Sequence, residues 1–178
     1  MKLVILDRDG VINRDLGTYV TRPADFEFTE GAIAAIARLT QAGLTLAIAT
    51  NQAGIGRGYY SHQTLSGIHA HMLRQLRAGD GDIHRIVYCP SYDDKHPWRK
   101  PRAGMLTAII DGFDADVADT VFIGDASRDM IAGFTAGCQL MMIANASGDG
   151  DYQQLPTEIK QQTRFFADLP SAVEDLLQ

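Results

Sequence analysis

Acidic side chains that could take part in phosphoryl transfer follow two apolar runs that lie far apart in the sequence. Asp7 and Asp9 follow an apolar run directly, and Asp125 and Asp129 follow another one much later. Clustered carboxylates repel a phosphate unless a cation lies among them, and Mg²⁺ prefers oxygen ligands. We therefore expect Asp7, Asp125 and the backbone carbonyl of Asp9 to hold Mg²⁺. Asp129 either ligates the ion indirectly or positions a lysine.

The same residue types can divide the work of phosphate ester hydrolysis. An ionised Asp7 can attack phosphorus and form an acyl phosphate, which replaces one hard displacement by two easier ones. Asp9 can protonate the leaving oxygen and then accept a proton from the attacking water. Thr50 and Lys100 can hold the phosphoryl oxygens. We expect Asp7, Asp9, Thr50 and Lys100 to be the catalytic residues.

Short apolar runs that alternate with amphipathic segments would bring these residues together. The pattern predicts a single α/β domain over residues 1–178, with three layers (α/β/α) and a mainly parallel sheet. Ligands of such sheets bind beyond the carboxyl ends of the strands, where the polar residues lie. The predicted strands are 3–6, 44–50, 83–89, 120–123, 139–144 and 163–166. The predicted helices are 30–41, 61–77, 104–111, 128–136 and 171–177, with Ser61 as the cap of the second.

The composition and net charge indicate which kinds of molecule this protein is expected to bind. The 178 residues are 46% hydrophobic and 21% charged, with a net charge of −6, which favours neither nucleic acid nor anionic lipid. No apolar stretch approaches the roughly 20 residues that cross a bilayer. Two cysteines, Cys89 and Cys138, make no disulfide framework. We expect a cytoplasmic monomer that acts on a small phosphorylated metabolite.

Four segments resemble the signatures of haloacid dehalogenase (HAD) superfamily phosphatases, in the same order. These segments are 7–11 (DRDGV), 50–52 (TNQ), 99–101 (RKP) and 124–129 (GDASRD). The similarity spans about residues 2–145. The resemblance implies a Rossmann-like fold and a magnesium-dependent phosphatase that forms a phosphoryl-aspartate.

Three stretches, 6–13, 49–57 and 99–105, further resemble the D-glycero-D-manno-heptose 1,7-bisphosphate 7-phosphatases, which are close to histidinol-phosphatase domains. This resemblance implies almost no cap domain, a sugar bisphosphate substrate, and a place in lipopolysaccharide biosynthesis. Arg57 and Arg99 would then recognise the distal part of the substrate, since an arginine fork suits a phosphate. The substrate-binding residues implied by position are Asp15, Leu16, Gly17, Thr18, Asn51, Gln52, Ala53, Arg57 and Arg99.

The loop before Arg99 departs from that subfamily, which usually carries a structural zinc site there. Cys89 and His96 stand at two ligand positions, but Ser91 and Trp98 replace the other ligands. Two ligands do not close a structural zinc site, so we predict no zinc. We expect packing, with Tyr92 and Trp98 as anchors, to hold the loop instead.

Several alternatives remain open at this point. Histidinol phosphate or another small metabolite is an alternative substrate. A non-enzymatic receiver-like phosphoacceptor domain also places acidic residues, a hydroxyl and a lysine at strand ends, and a catalytically silent relative is a third possibility. Thr50, Asn51 and Asp125 are also suited to capping. His69 and His71 do not share a helix face and are expected at the surface.

Overall fold

Six strands form one sheet in the computed structural model, which describes residues 2–178. They are β1 Leu3–Leu6, β2 Thr45–Asn51, β3 Arg85–Cys89, β4 Thr120–Gly124, β5 Gln139–Ile143 and β6 Thr163–Phe166. Their order is β3-β2-β1-β4-β5-β6, and all neighbouring pairs are parallel. The order reverses between β1 and β4, which is where such sheets open a crevice for ligands.

Helices follow the strands and cover both faces of the sheet. They are α1 Ala32–Gln41, α2 Ala53–Gly56, α3 His62–Ala78, α4 Gly104–Phe113, α5 Ser127–Ala136, α6 Gly150–Gln153, α7 Thr157–Gln162 and α8 Leu169–Leu176. Two 3-10 turns, Pro23–Asp25 and Val117–Asp119, complete the description. The order of strands and helices confirms the predicted α/β class.

The central strand β1 is buried on both faces. Val4 and Leu6 belong to the core beneath α1, α3 and α8, whereas Leu3 and Ile5 belong to the core beneath α4 and α5. All four side chains are fully buried, as expected for an apolar strand between two helical layers. The two cores confirm the three-layer architecture.

The predicted strand and helix positions agree with the structure within a few residues. Ser61 caps α3 as predicted, since its hydroxyl accepts a hydrogen bond from the backbone N–H of Thr64 at 3.1 Å. The short helices α2, α6 and α7 were not predicted. A segment of four to six residues is too short to show helical periodicity.

The two connections that lead to α1 and α3 carry only short elements. Residues 7–31 contain the 3-10 turn Pro23–Asp25, and residues 52–61 contain α2. The short elements in these two connections are consistent with the prediction that the chain has no substantial cap domain. Within residues 2–178, no helix has both the length and the apolar character needed to cross a membrane.

Candidate active site

The nucleophile candidate Asp7 lies directly beyond the carboxyl end of the central strand β1. Its Oδ1 accepts a hydrogen bond from the backbone N–H of Arg8 at 2.7 Å and lies 2.8 Å from Lys100 Nζ. Its Oδ2 accepts no hydrogen bond from the described residues. One carboxylate oxygen is therefore fixed and the other remains available to attack phosphorus.

Lys100 is a buried cation between two carboxylates. Its Nζ lies 2.8 Å from Asp7 Oδ1 and 2.8 Å from Asp129 Oδ1, and its side chain is fully buried. Burial by itself lowers the pKa of Lys100, but the two carboxylates outweigh it and raise the pKa. The amide of Asn51 bonds both the N–H and the C=O of Lys100. Asn51, predicted to bind substrate, thus holds Lys100 in place.

Three carboxylates form a candidate magnesium site. Asp7, Asp125 and Asp129 each offer one oxygen, and these atoms lie within 4.8 Å of one another. Asp125 Oδ1 is buried without a hydrogen-bond partner in the described part of the chain. Gly10, at φ +87°, lets the chain pass so closely that a Cβ there would lie 2.1 Å from Asp125 Oδ2. The hard oxygen ligands and the unpartnered oxygen fit Mg²⁺.

The electrostatics of the cluster favour a cation. Burial first, and then the charge of Asp129, raise the pKa of Asp125 to about 8. Burial also raises the pKa of Asp7 to about 6, although Lys100 opposes the rise. Bound Mg²⁺ would offset the negative charge of these carboxylates and of the phosphoryl group. Of the predicted ligands, Asp7 and Asp125 are therefore the carboxylates whose negative charge is not balanced by the cations around them.

Asp129 is committed to other contacts. One carboxylate oxygen pairs with Lys100 at 2.8 Å, and the other accepts from the N–H of Ala126 at 3.1 Å at the start of α5. These contacts match the lysine-positioning alternative from the sequence. Indirect ligation of magnesium by Asp129 stays a prediction.

Asp9, the acid/base candidate, lies outside the carboxylate cluster in a network of donors. Arg8 Nη2 donates to both of its oxygens at 2.8 and 3.0 Å, and Asn13 and Gln52 each donate at 2.9 Å. Burial raises the pKa of Asp9, but these donors outweigh burial and lower it. This state suits the base that activates water. The acid step uses the protonated form, which these donors disfavour.

Gln52 connects Asp9, the acid/base candidate, to the hydroxyl group of Thr50. Its Nε2 donates to Asp9 Oδ2 and to Thr50 Oγ1, both at 2.9 Å, while Tyr60 donates to its Oε1. Gln52 is only 2% exposed. Its amide is thus fully used within the protein, and it positions Asp9 and Thr50. The Thr50 hydroxyl accepts the bond from Gln52, and its predicted contact with a phosphoryl oxygen stays a prediction.

The predicted surface position of His69 is wrong. His69 is buried, 8% exposed, and its Nε2 lies 3.3 Å from Arg8 Nη1. Burial and the nearby Arg8 lower its pKa to about 4, so the ring is neutral and accepts from the guanidinium. His71 is half-buried and bonds Gln75 on the outer side of α3. Tertiary packing against Arg8 decides the difference between these two histidines.

Hydrogen bonds hold the loop that delivers Lys100. His96 Nδ1 lies 3.5 Å from Cys89 Sγ, and Arg99 pairs with Asp94 at 2.9 Å. Tyr92 and Trp98 are 55% and 41% exposed, although the Arg57 guanidinium lies over the ring of Tyr92 and Trp98 adjoins Gly104, so their anchoring of the loop stays a prediction. Cys89 and His96 meet, but two ligands do not fit a structural zinc ion.

The comparisons with known proteins agree with this geometry. The family model described as polynucleotide kinase 3 phosphatase matches residues 2–166. The chain is 40% identical to a D-glycero-beta-D-manno-heptose-1,7-bisphosphate 7-phosphatase of Neisseria meningitidis, covering all of this chain and 96% of that one. A Campylobacter jejuni enzyme named for the alpha anomer is 37% identical over 93% of this chain and 95% of its own.

A solved structure shows the same fold with ligands. It is the Bordetella bronchiseptica D,D-heptose 1,7-bisphosphate phosphatase complexed with magnesium and phosphate, at a TM-score of 0.93 and 40% identity, covering 100% of this chain and 99% of that one.

The chain belongs to the polynucleotide kinase 3 phosphatase family of the HAD superfamily. Its fold, its phosphatase class and its dependence on magnesium follow from this membership, as the sequence predicted.

The other predicted substrate-binding residues of this HAD phosphatase lie around the rim of the site. Residues 15–18 form an exposed loop, in which Asp15 accepts from the N–H of Gly17 at 2.9 Å. Ala53 is buried at the start of α2. The Arg57 guanidinium lies over the ring of Tyr92 at 5.3 Å. Their contact with substrate stays a prediction.

Sequence reasoning missed the residues that support Asp9. Arg8 is 1% exposed, and Asn13 is fully buried. Arg8 lies within the D-R-D-G segment, and Asn13 follows Asp9 by four residues. The sequence therefore shows that both residues are close to Asp9. His69, the partner of Arg8, and Tyr60, the partner of Gln52, are far from Asp9 in the sequence, so sequence proximity could not indicate them.

Proposed function

We propose that this chain is a magnesium-dependent phosphatase that removes the C7 phosphate of D-glycero-D-manno-heptose 1,7-bisphosphate through a phosphoryl-aspartate on Asp7. The observation that carries the reaction is the asymmetric carboxylate of Asp7. Lys100 and the backbone N–H of Arg8 hold Oδ1, while Oδ2 has no donor among the described residues. The substrate follows from relatives of 40% identity that span this whole chain and carry that name.

The first chemical step forms the covalent intermediate. Asp7 Oδ2 attacks phosphorus as the ester P–O bond breaks, and protonated Asp9 gives its proton to the departing sugar oxygen. Lys100 and Thr50 bind the phosphoryl oxygens, where negative charge develops.

The second step returns the site to its starting state. Water attacks the phosphoryl group of Asp7 and loses a proton to Asp9, and the P–Oδ2 bond breaks to release inorganic phosphate. The hydrogen bonds that Arg8, Asn13 and Gln52 donate to Asp9 favour its ionised form, which is the form that accepts this proton. Asp9 ends protonated, ready for the next turnover.

The rest of the proposal concerns partners and location. The exposed loop 15–18 would contact the sugar, and Arg57 and Arg99 are the predicted contacts for its distal part. We propose a monomer that acts in the cytoplasm, where sugar phosphates are found, with no nucleic-acid or membrane partner.

Phosphate release from a small panel tests the reaction and the substrate together. The panel contains both anomers of heptose 1,7-bisphosphate, histidinol phosphate, and several sugar and nucleotide monophosphates, each with magnesium or with EDTA. Asp7→Asn removes the nucleophile, and Asp111→Asn, on the exposed face of α4, is the matched control. We expect one heptose bisphosphate anomer to be the best substrate, with activity abolished by EDTA and by Asp7→Asn.

Other outcomes separate the alternatives. Preference for histidinol phosphate would keep the reaction and refute the heptose substrate. A stable phosphoprotein without turnover would support the receiver-like alternative. No magnesium-dependent release and no phosphoprotein would support a silent relative.

A further inference from the structure

A cavity adjoins the candidate magnesium site, and Arg99 is not among the residues that line it. Its volume is about 460 Å³, within the range of small-ligand sites. Gly10 and Asp125 form the part next to the carboxylate cluster. Arg14 and Arg128 are the two cationic side chains that line it. A substrate with its phosphate at Asp7 therefore has a second cationic region within the same rim.

Arg128 lines this cavity without a bound carboxylate. It lies in the first turn of α5, is exposed, and makes no ion pair within 4 Å in the described part of the chain. Two carboxylates of the cavity are already engaged: Asp15 accepts from Gly17, and Asp151 accepts from Asn145. The N–H donors of the Arg128 guanidinium are thus available to a ligand in the cavity.

Arg14 is only weakly held. Its guanidinium lies 3.6 Å from Glu27, and the two side chains are 66% and 63% exposed. Solvent screens such a pair, which contributes little to stability. Arg14 can therefore exchange this partner for a phosphate at small cost.

The remaining lining suits a sugar. Asn145 and Ser147 offer amide and hydroxyl groups, and Asp15 offers acceptors for sugar hydroxyls. A guanidinium pair beside such groups matches a sugar that carries a second phosphate.

We propose that Arg128, together with Arg14, binds the second phosphate of the bisphosphate substrate and thereby sets the preference for a bisphosphate over a monophosphate. This inference rests on the proposed function. It differs from the role predicted for Arg99, which is only 19% exposed and donates to Asp94 and to the C=O of Ser91. Arg99 must give up both partners to bind substrate, whereas Arg128 needs to give up none.

The test compares two substrates that carry the same C7 phosphate ester and differ only in the phosphate at C1. We would measure kcat/KM for heptose 1,7-bisphosphate and for heptose 7-phosphate and take their ratio, which cancels any effect on the common phosphoryl step. Arg128→Gln should lower this ratio roughly tenfold or more through the KM of the bisphosphate, because charge-assisted hydrogen bonds are lost. Arg14→Gln should lower it less. Arg74→Gln, on the exposed face of α3, removes the same charge and should leave the ratio unchanged.

The outcomes distinguish this inference from the proposed function. A ratio unchanged by Arg128→Gln, or lowered by Arg99→Gln alone, would overturn the subsite and leave the phosphatase intact. A wild-type ratio near one would also overturn it, since no second phosphate would then be recognised. If neither heptose substrate is hydrolysed with magnesium, the proposed substrate fails and this inference fails with it.

Discussion

Replacing Asp125 by asparagine should stabilise the protein without magnesium and remove its response to magnesium. A gain in stability is unusual for a substitution in an active site, but the surroundings of Asp125 are the reason to expect one. Asp125 is 4% exposed, and its Oδ1 is buried without a partner in the described part of the chain. Asp7 and Asp129 lie beside it and carry the same charge. Without a cation, the carboxylate is therefore destabilising in the folded protein.

The size of the effect follows from the pKa of Asp125, which is raised from 3.8 to about 8. A raised pKa means that the folded protein binds the proton more tightly than the unfolded chain, so stability is lost as pH rises from about 4 to about 8. At pH 7 this loss is roughly 4 kcal/mol, and at pH 5 it is under about 2 kcal/mol. A buried asparagine amide without full partners costs about 1–3 kcal/mol. The variant should therefore gain roughly 1–3 kcal/mol at pH 7.

Urea unfolding at pH 7 in EDTA measures this gain, and thermal melts with and without magnesium measure the response to the ion. Asp111→Asn serves as the control for loss of an exposed carboxylate. Wild type should gain stability when magnesium is added, and Asp125→Asn should not. A well-folded Asp125→Asn protein that is less stable than wild type in EDTA, or that still responds to magnesium, would refute the reasoning.

Three further predictions concern the same site. Asp129→Asn should lower the free energy of unfolding by about 3 kcal/mol in urea titrations, because it removes one partner of buried Lys100; an unchanged midpoint would contradict this. Gly10→Ala should abolish the thermal shift caused by magnesium, since its Cβ would lie 2.1 Å from Asp125 Oδ2 and its φ is +87°. Magnesium affinity in calorimetry should fall as pH is lowered from 8 to 6, with proton release on binding, because the pKa values of Asp125 and Asp7 are about 8 and about 6. Affinity that does not change over this range would contradict the assignment of these two ligands.

The sheet and the polar residues at its edge could be predicted from the amino-acid sequence alone. A four-residue apolar run that ends in charge, such as Leu3–Leu6 before Asp7, indicates a buried strand. Parallel strands then bring their carboxyl ends to one edge, so Asp7, Thr50 and Asp125 had to meet there. Local periodicity and chain direction carry this information, and both can be read from a single sequence.

The pairing of the polar side chains with one another could not be predicted and is known only from the folded structure. Asn51 and Gln52 were expected to contact substrate, but their amides bond Lys100, Asp9 and Thr50. His69 is buried because α3 packs it against Arg8. Hydrogen-bond partners depend on side-chain directions in space, which sequence spacing does not specify.

The same limit applies to the arginines proposed to bind the distal phosphate. The sequence resemblance singled out Arg57 and Arg99, whereas the folded chain pairs Arg99 with Asp94 and leaves Arg128 exposed at the cavity beside Asp125. Long, charged side chains choose partners by what lies within their reach after the chain has folded. The chemistry of this site was therefore visible in the sequence, and the arrangement of its charges was decided by the tertiary structure.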